Sequence, residues 1–208
     1  NSTRKVYRYQ PASASVENLS EYTLLCPQMA PVHWNFLSPA MAAAGFKLEV
    51  LPKVSREAIE DGLRYVNNDA CYPAVVSIGQ LIRALKTGGY DLNRTAVVMS
   101  QTGGGCRATN YVGFLRRALE HSGLGHIPVW PLSLAQKKGD EGLKADRGLI
   151  KRILLGLLYG DMLQRLLLAT RPYAQRASAV QELADRWTRR AAHAVEKGDR
   201  KAYERGRS

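Results

Sequence analysis

The chain has 208 residues, 45% of them apolar and 23% charged, enough to bury a core as one domain with an appendage or as two small domains. Its net charge of +12 is uneven: residues 136–208 hold 17 Lys and Arg against 9 Asp and Glu, whereas residues 1–135 hold 13 against 9. Such an excess serves nucleic acid, acidic partners, anionic substrates or solubility alone. The most apolar stretch, residues 149–169, contains Lys151, Arg152, Asp161 and Arg165, which argues for an amphipathic helix and against a membrane span. No signal peptide opens the chain, and a start at Asn1 without Met is expected of a piece of something longer. Three cysteines cannot all pair, so a reducing cytoplasm is the expected compartment.

In chain order, residues 1–20 are polar and aperiodic, read as a mobile leader. "EYTLLCP" at 21–27 is a short apolar run closed by proline, a buried strand. "HWNFLSPAMAAAGF" at 33–46 reads as a helix stopped by Gly45. "KLEVLP" at 47–52 alternates and ends at proline, a second strand. Ser55 is placed to cap a helix running to about Val66, with Glu57 favourable in its first turn. The next helix carries Pro73 in its first turn and ends at Gly88-Gly89. "TAVVMSQ" at 95–101 is the most strand-like segment; Gly103, Gly104 and Gly105 then turn the backbone toward a helix over about 109–122, with Thr109 as its expected cap. "HIPVWPLSL" at 126–134 is a fourth strand.

Strands alternating with helices predict an open parallel α/β sheet, flavodoxin-like or Rossmann-like, with order 2-1-3-4 over residues 21–134. From Ala135 the pattern changes. A linker, "QKKGDEG", leads to helical stretches at about 145–170 and 174–197, broken at Arg171-Pro172. Residues 135–208 thus read as a helical appendage packed on the sheet or on a neighbour.

The three cysteines share one expected location. Cys26 ends the first strand, Cys71 sits at a helix N-terminus, and Cys106 follows the third strand. In an open parallel sheet, strand C-termini and helix N-termini share the ligand-binding edge. The glycines before Cys106 let backbone N–H groups approach an anion, helix N-termini lower thiol pKa values, and Arg107 adds positive charge. Taken singly, each cysteine is more ordinarily a small buried apolar residue. No CxxC pair gives a compact zinc or ferredoxin signature.

"NDACYPAVVSIGQLIRAL", "SQTGGGCRATNYVGFLRRAL", "LLCPQM" and "LLYGDMLQRLLLATRPY" resemble the 2-hydroxyacyl-CoA dehydratase family, in particular the dehydratase-like portion of the large acyl-CoA dehydratase activase-related fusion proteins. The resemblance covers about residues 20–175, and the glycine–cysteine–arginine block is its most specific part. It implies a 4Fe–4S or related cluster held by three cysteines, here Cys26, Cys71 and Cys106, with Gly104, Gly105 and Arg107 beside it. It also implies an activase that injects one electron at the expense of ATP, and an electron-accepting substrate such as an acyl-CoA. The chain has no Walker-type phosphate loop and no recognisable activase segment, and it is short for a dehydratase subunit. It is therefore expected to be one cluster-binding unit of a longer fusion, possible as a dimer, with the substrate left open.

Other readings stay beside this one. His33, seven residues after Cys26, is a candidate fourth ligand but more ordinarily a helix-start histidine. His121, His126 and His193 show no ligand spacing. Asp69 is a candidate cap for the helix after Cys71. Gln101, Thr102, Asn110 and Tyr111 are candidate pocket residues. The same thiols suit zinc. "GGGCR" suits a phosphate, and Cys106 as a nucleophile lacks an evident histidine partner. A redox-inert interaction domain is the main rival. The basic tail reads as a solvated helix face without an aromatic–basic nucleic-acid motif, so neither nucleic acid nor membrane is expected as a partner.

Overall fold

The structure, a computed structural model, describes residues 20–67, 69–101, 106–132 and 146–207. The leader, except Ser20, lies outside the described residues. So do residues 102–105, with Thr102, Gly104 and Gly105 among them, and the linker after Ala135.

Four strands form one parallel sheet: β1 (Thr23–Cys26), β2 (Lys47–Val50), β3 (Thr95–Ser100) and β4 (Val129–Leu132). Their order is β2-β1-β3-β4, as the alternation of strands and helices predicts. The order reverses between β1 and β3. Cys26 ends β1 at that switch point, and Cys106 follows β3 there.

Both faces of the sheet are covered, which explains why β3 reads as a continuous apolar run. Leu25, Val97, Met99 and Val129 face α3 (Tyr72–Thr87) and α4 (Tyr111–His121). Leu24, Cys26, Leu48, Ala96, Val98 and Trp130 face the other way, toward α1 (Leu37–Ala42), α5 (Arg147–Thr170) and α6 (Ala177–Lys197). The C-terminal helices are thus a layer of the core. A last helix, α7 (Arg200–Arg207), brings Tyr203 edge-on to Tyr159 of α5, with ring centroids 5.0 Å apart.

Helix ends follow local chemistry. Ser55 Oγ accepts from Ala58 N and starts α2 (Arg56–Tyr65). Asp146 Oδ1 accepts from Leu149 N at 2.6 Å and starts α5. Gly45, at φ 85°, takes the left-handed turn between α1 and β2. Three details differ from expectation. The stretch from His33 is a 3-10 turn (His33–Phe36) before α1 begins. A 3-10 turn (Arg107–Asn110) precedes α4, and Cys106 rather than Thr109 caps it, its Sγ accepting from Ala108 N at 3.5 Å. Cys71, not Asp69, is the N-cap residue of α3, without a side-chain cap bond.

Candidate functional site

α2 and α3 pack antiparallel so closely that they touch through glycines. A Cβ on Gly79 would run into Ala58 O, and one on Gly62 into Val75 O. This contact sets α3 with its N-terminus, and Cys71, at the C-terminal edge of the sheet. Cys71 Sγ lies 2.9 Å from Tyr111 Oη, at the first residue of α4. Tyr111 is buried. The thiol is the stronger acid of the two, so the phenol donates to the thiolate.

The electrostatics agree. The Tyr111 hydrogen bond lowers the Cys71 pKa, opposed by partial burial and assisted by backbone N–H groups and by Arg107. Burial, the Cys71 bond and the negative charges of Cys71 and Cys106 push Tyr111 up to about 12. Cys106 is therefore within electrostatic reach of the same phenol. Arg107 Nη1 donates to Asp69 O at 2.9 Å, tying the segment after β3 to the segment before α3. Gln101 Nε2 donates to Thr109 O at 3.0 Å and braces the turn from inside.

Cys26 stands apart. Strand alternation turns Leu25 toward α3 and α4 and Cys26 toward α1 and α5. Its thiol is 2% exposed, lies 3.7 Å from Pro27 O, and is pushed up to about 12 by burial, with Trp34 pulling slightly the other way. Trp34 Nε1 donates to Pro27 O at 2.9 Å and closes the site over. Height separates the thiols as well. The chain just past β1 meets α3 at Gln80, whose Oε1 accepts from Gln28 N at 3.0 Å. Cys71 lies nine residues up that helix, roughly 13 Å at about 1.5 Å per residue.

Among the described residues, no group of three His, Cys, Asp or Glu side chains stands close enough to hold a metal ion. Cys71 and Cys106 each stand at the start of a helical segment, whereas Cys26 is turned toward the α1 side of the sheet. Gly104 and Gly105 lie outside the described residues. His33 is no neighbour of these two thiols: its Nε2 bonds Asp161 Oδ1 of α5 at 2.9 Å.

Two features of the site escape sequence reading. Trp34 as a cover over Cys26 has no local signature, because an indole eight residues downstream reads simply as core. The amide of Gln28 has Oε1 buried without a partner, two residues past Cys26, where a bound polar group would satisfy it. A separate hollow beside β2, lined by Pro52, Ser55, Arg83 and Tyr90, lacks any of the three cysteines. No family model matches the chain, and comparison with the curated proteins and with the solved structures gives no match either.

Proposed function

We propose that the chain is an iron–sulfur cluster-binding unit of a 2-hydroxyacyl-CoA dehydratase-like reductase. In this reading it accepts a low-potential electron from an ATP-driven activase, in the same long chain or separate, and passes it to an acyl-CoA or other small substrate. The observation that carries the reading is the 2.9 Å contact of the Cys71 thiol with the Tyr111 phenol at the starts of α3 and α4, with Arg107 bonded to Asp69 O just before α3. Thiolates are the ligating form, and a donated hydrogen bond, a helix N-terminus and a guanidinium all favour the thiolate.

A bound cluster supplies a one-electron store whose potential depends on nearby charge and on hydrogen bonds to sulfur. Cys71 and Cys106 hold it from two helical N-caps. Tyr111 donates to the Cys71 sulfur, and Arg107, fixed by Asp69 O, offsets negative charge at the rim. Cys26 completes the set that the family resemblance implies. That role requires the Cys26-Pro27 segment to turn out of the α1 side and Trp34 to release Pro27 O.

Anaerobic reconstitution with iron and sulfide, followed by visible absorption and by EPR after reduction, tests it. Iron–sulfur spectra are the expected result. Colourless bound zinc would make the site a zinc site on the same thiols. A chain that binds no metal would be a redox-inert interaction domain.

A further inference from the structure

The outer face of α5 carries a row of apolar side chains left exposed among the described residues. Ile150, Leu154, Leu157, Leu158 and Leu168 are between 40% and 64% exposed. The opposite side of the same helix is occupied: Leu149, Leu155, Tyr159 and Leu163 lie in the core beneath it. At about 100° per residue, Ile150, Leu154, Leu157, Leu158, Asp161, Arg165 and Leu168 fall in a stripe roughly 100° wide. Positions 150, 154, 157, 161, 165 and 168 step by three or four, the spacing of one helix face. Two charges of opposite sign stand in its middle, Asp161 and Arg165.

We infer that this stripe is the contact between two copies of the chain, α5 against α5 in antiparallel register about a two-fold axis near residue 163. The charges choose the arrangement. A parallel pairing sets Asp161 against Asp161 and Arg165 against Arg165. The antiparallel pairing sets Asp161 of each copy against Arg165 of the other, twice, with Leu158 opposite Leu168 on either side. An isologous interface repeats each contact, so one acid and one base suffice for two ion pairs. The Asp161 side chain is 71% exposed, although its Oδ1 bonds His33 Nε2. Polar residues inside an apolar seam fix register and orientation at some cost in stability.

A lipid surface is a poorer occupant. By length and composition α5 with the turn after it, Arg147–Tyr173, could cross a membrane. Its inner side, however, is part of the sheet's own core. Dipping the outer face into lipid would also take the charges of Asp161 and Arg165 out of water. The inference does not depend on metal binding.

Sedimentation velocity on the chain, with and without metal, tests it. The expected species has twice the 23.0 kDa chain mass. Asp161→Arg alone and Arg165→Asp alone should each weaken the dimer by about tenfold or more, and the exchanged pair D161R/R165D should recover most of that loss. The variant L158D/L168D should sediment as a monomer with an unchanged circular dichroism spectrum, which separates loss of contact from loss of fold. The inference is overturned by a wild-type monomer at about 100 µM, a concentration where even weak pairs associate. It is equally overturned by a dimer indifferent to L158D/L168D, by no recovery in the exchanged pair, or by a monomer that floats with anionic vesicles through the same leucines.

Discussion

At the scale of the residue, three cysteines occupy three different environments: Cys26 buried, Cys71 half-buried, Cys106 exposed. Burial disfavours the Cys26 thiolate, whereas a phenol hydrogen bond favours that of Cys71. In the metal-free protein, Ellman's reagent should therefore titrate Cys71 and Cys106 quickly and Cys26 only after denaturation. Three equally fast thiols would contradict the placement of Cys26. The Tyr111 bond is tested separately by alkylation of Cys71 against pH. A lowered pKa raises the thiolate fraction, and hence the rate, at any pH below it. Tyr111→Phe removes the donor, so the profile should move to higher pH and the rate near pH 8 should fall. An unmoved profile would mean that the phenol does not act on the thiol. That Cys26 ends a strand, Cys71 starts a helix and Cys106 follows the third strand was legible in the sequence, because strand ends and helix starts leave marks such as Pro27 and Pro73. Which way each thiol points was not. That depends on strand parity at Cys26 and on a tryptophan arriving from the next turn.

At the scale of the element, glycines permit two close approaches. On α2 and α3, Gly62 and Gly79 admit backbone atoms of the facing helix. Alanine at position 79 gains up to about 1 kcal/mol of helix propensity, yet its Cβ would meet Ala58 O and the backbone of Gly62. Backbone cannot swing aside as a side chain can, so overpacking wins, at a net cost of about 1–3 kcal/mol. Gly79→Ala should lower the melting temperature by roughly 2–4 °C per kcal/mol for a chain of this size. A more stable variant would show the contact to be loose. On α5, Gly156 and Gly160 lie one turn apart, against Phe36 and His33. Asp161 then bonds His33 from the same helix. α5 thereby clamps the turn that carries Trp34, and with it the cover over Cys26. Gly160→Ala should loosen that cover and let Ellman's reagent reach Cys26 faster, a readout that a purely local packing defect on α5 would leave unchanged. Helix starts at Ser55 and stops at Gly45 and Gly88 were legible, since each rests on one residue's chemistry. The start of α4 was misjudged by two residues, because Cys106 serves as a cap and a 3-10 turn intervenes.

At the scale of the whole molecule, the parallel sheet in order β2-β1-β3-β4 follows from strands alternating with helices and from right-handed crossovers. The C-terminal helices belong to the same architecture, as a layer over the face that Cys26 occupies. Their long apolar pattern showed that they pack. It did not show on what, because periodicity marks a buried side without naming its partner. The contact of Cys71 with Tyr111 joins the starts of two helices far apart in sequence, which periodicity does not describe. In the proposed function Cys71 and Cys106, with Cys26, hold one iron–sulfur cluster. Iron content after anaerobic reconstitution of the wild type and of Cys26→Ala, Cys71→Ala and Cys106→Ala tests it most directly, with circular dichroism to certify the fold of each. The account predicts up to about four iron per wild-type chain, as a 4Fe–4S centre requires. It predicts loss of most of that iron in each variant, including Cys26→Ala. A Cys106→Ala variant that keeps its fold and takes up iron and sulfide to the wild-type level, with the same spectrum, would contradict it.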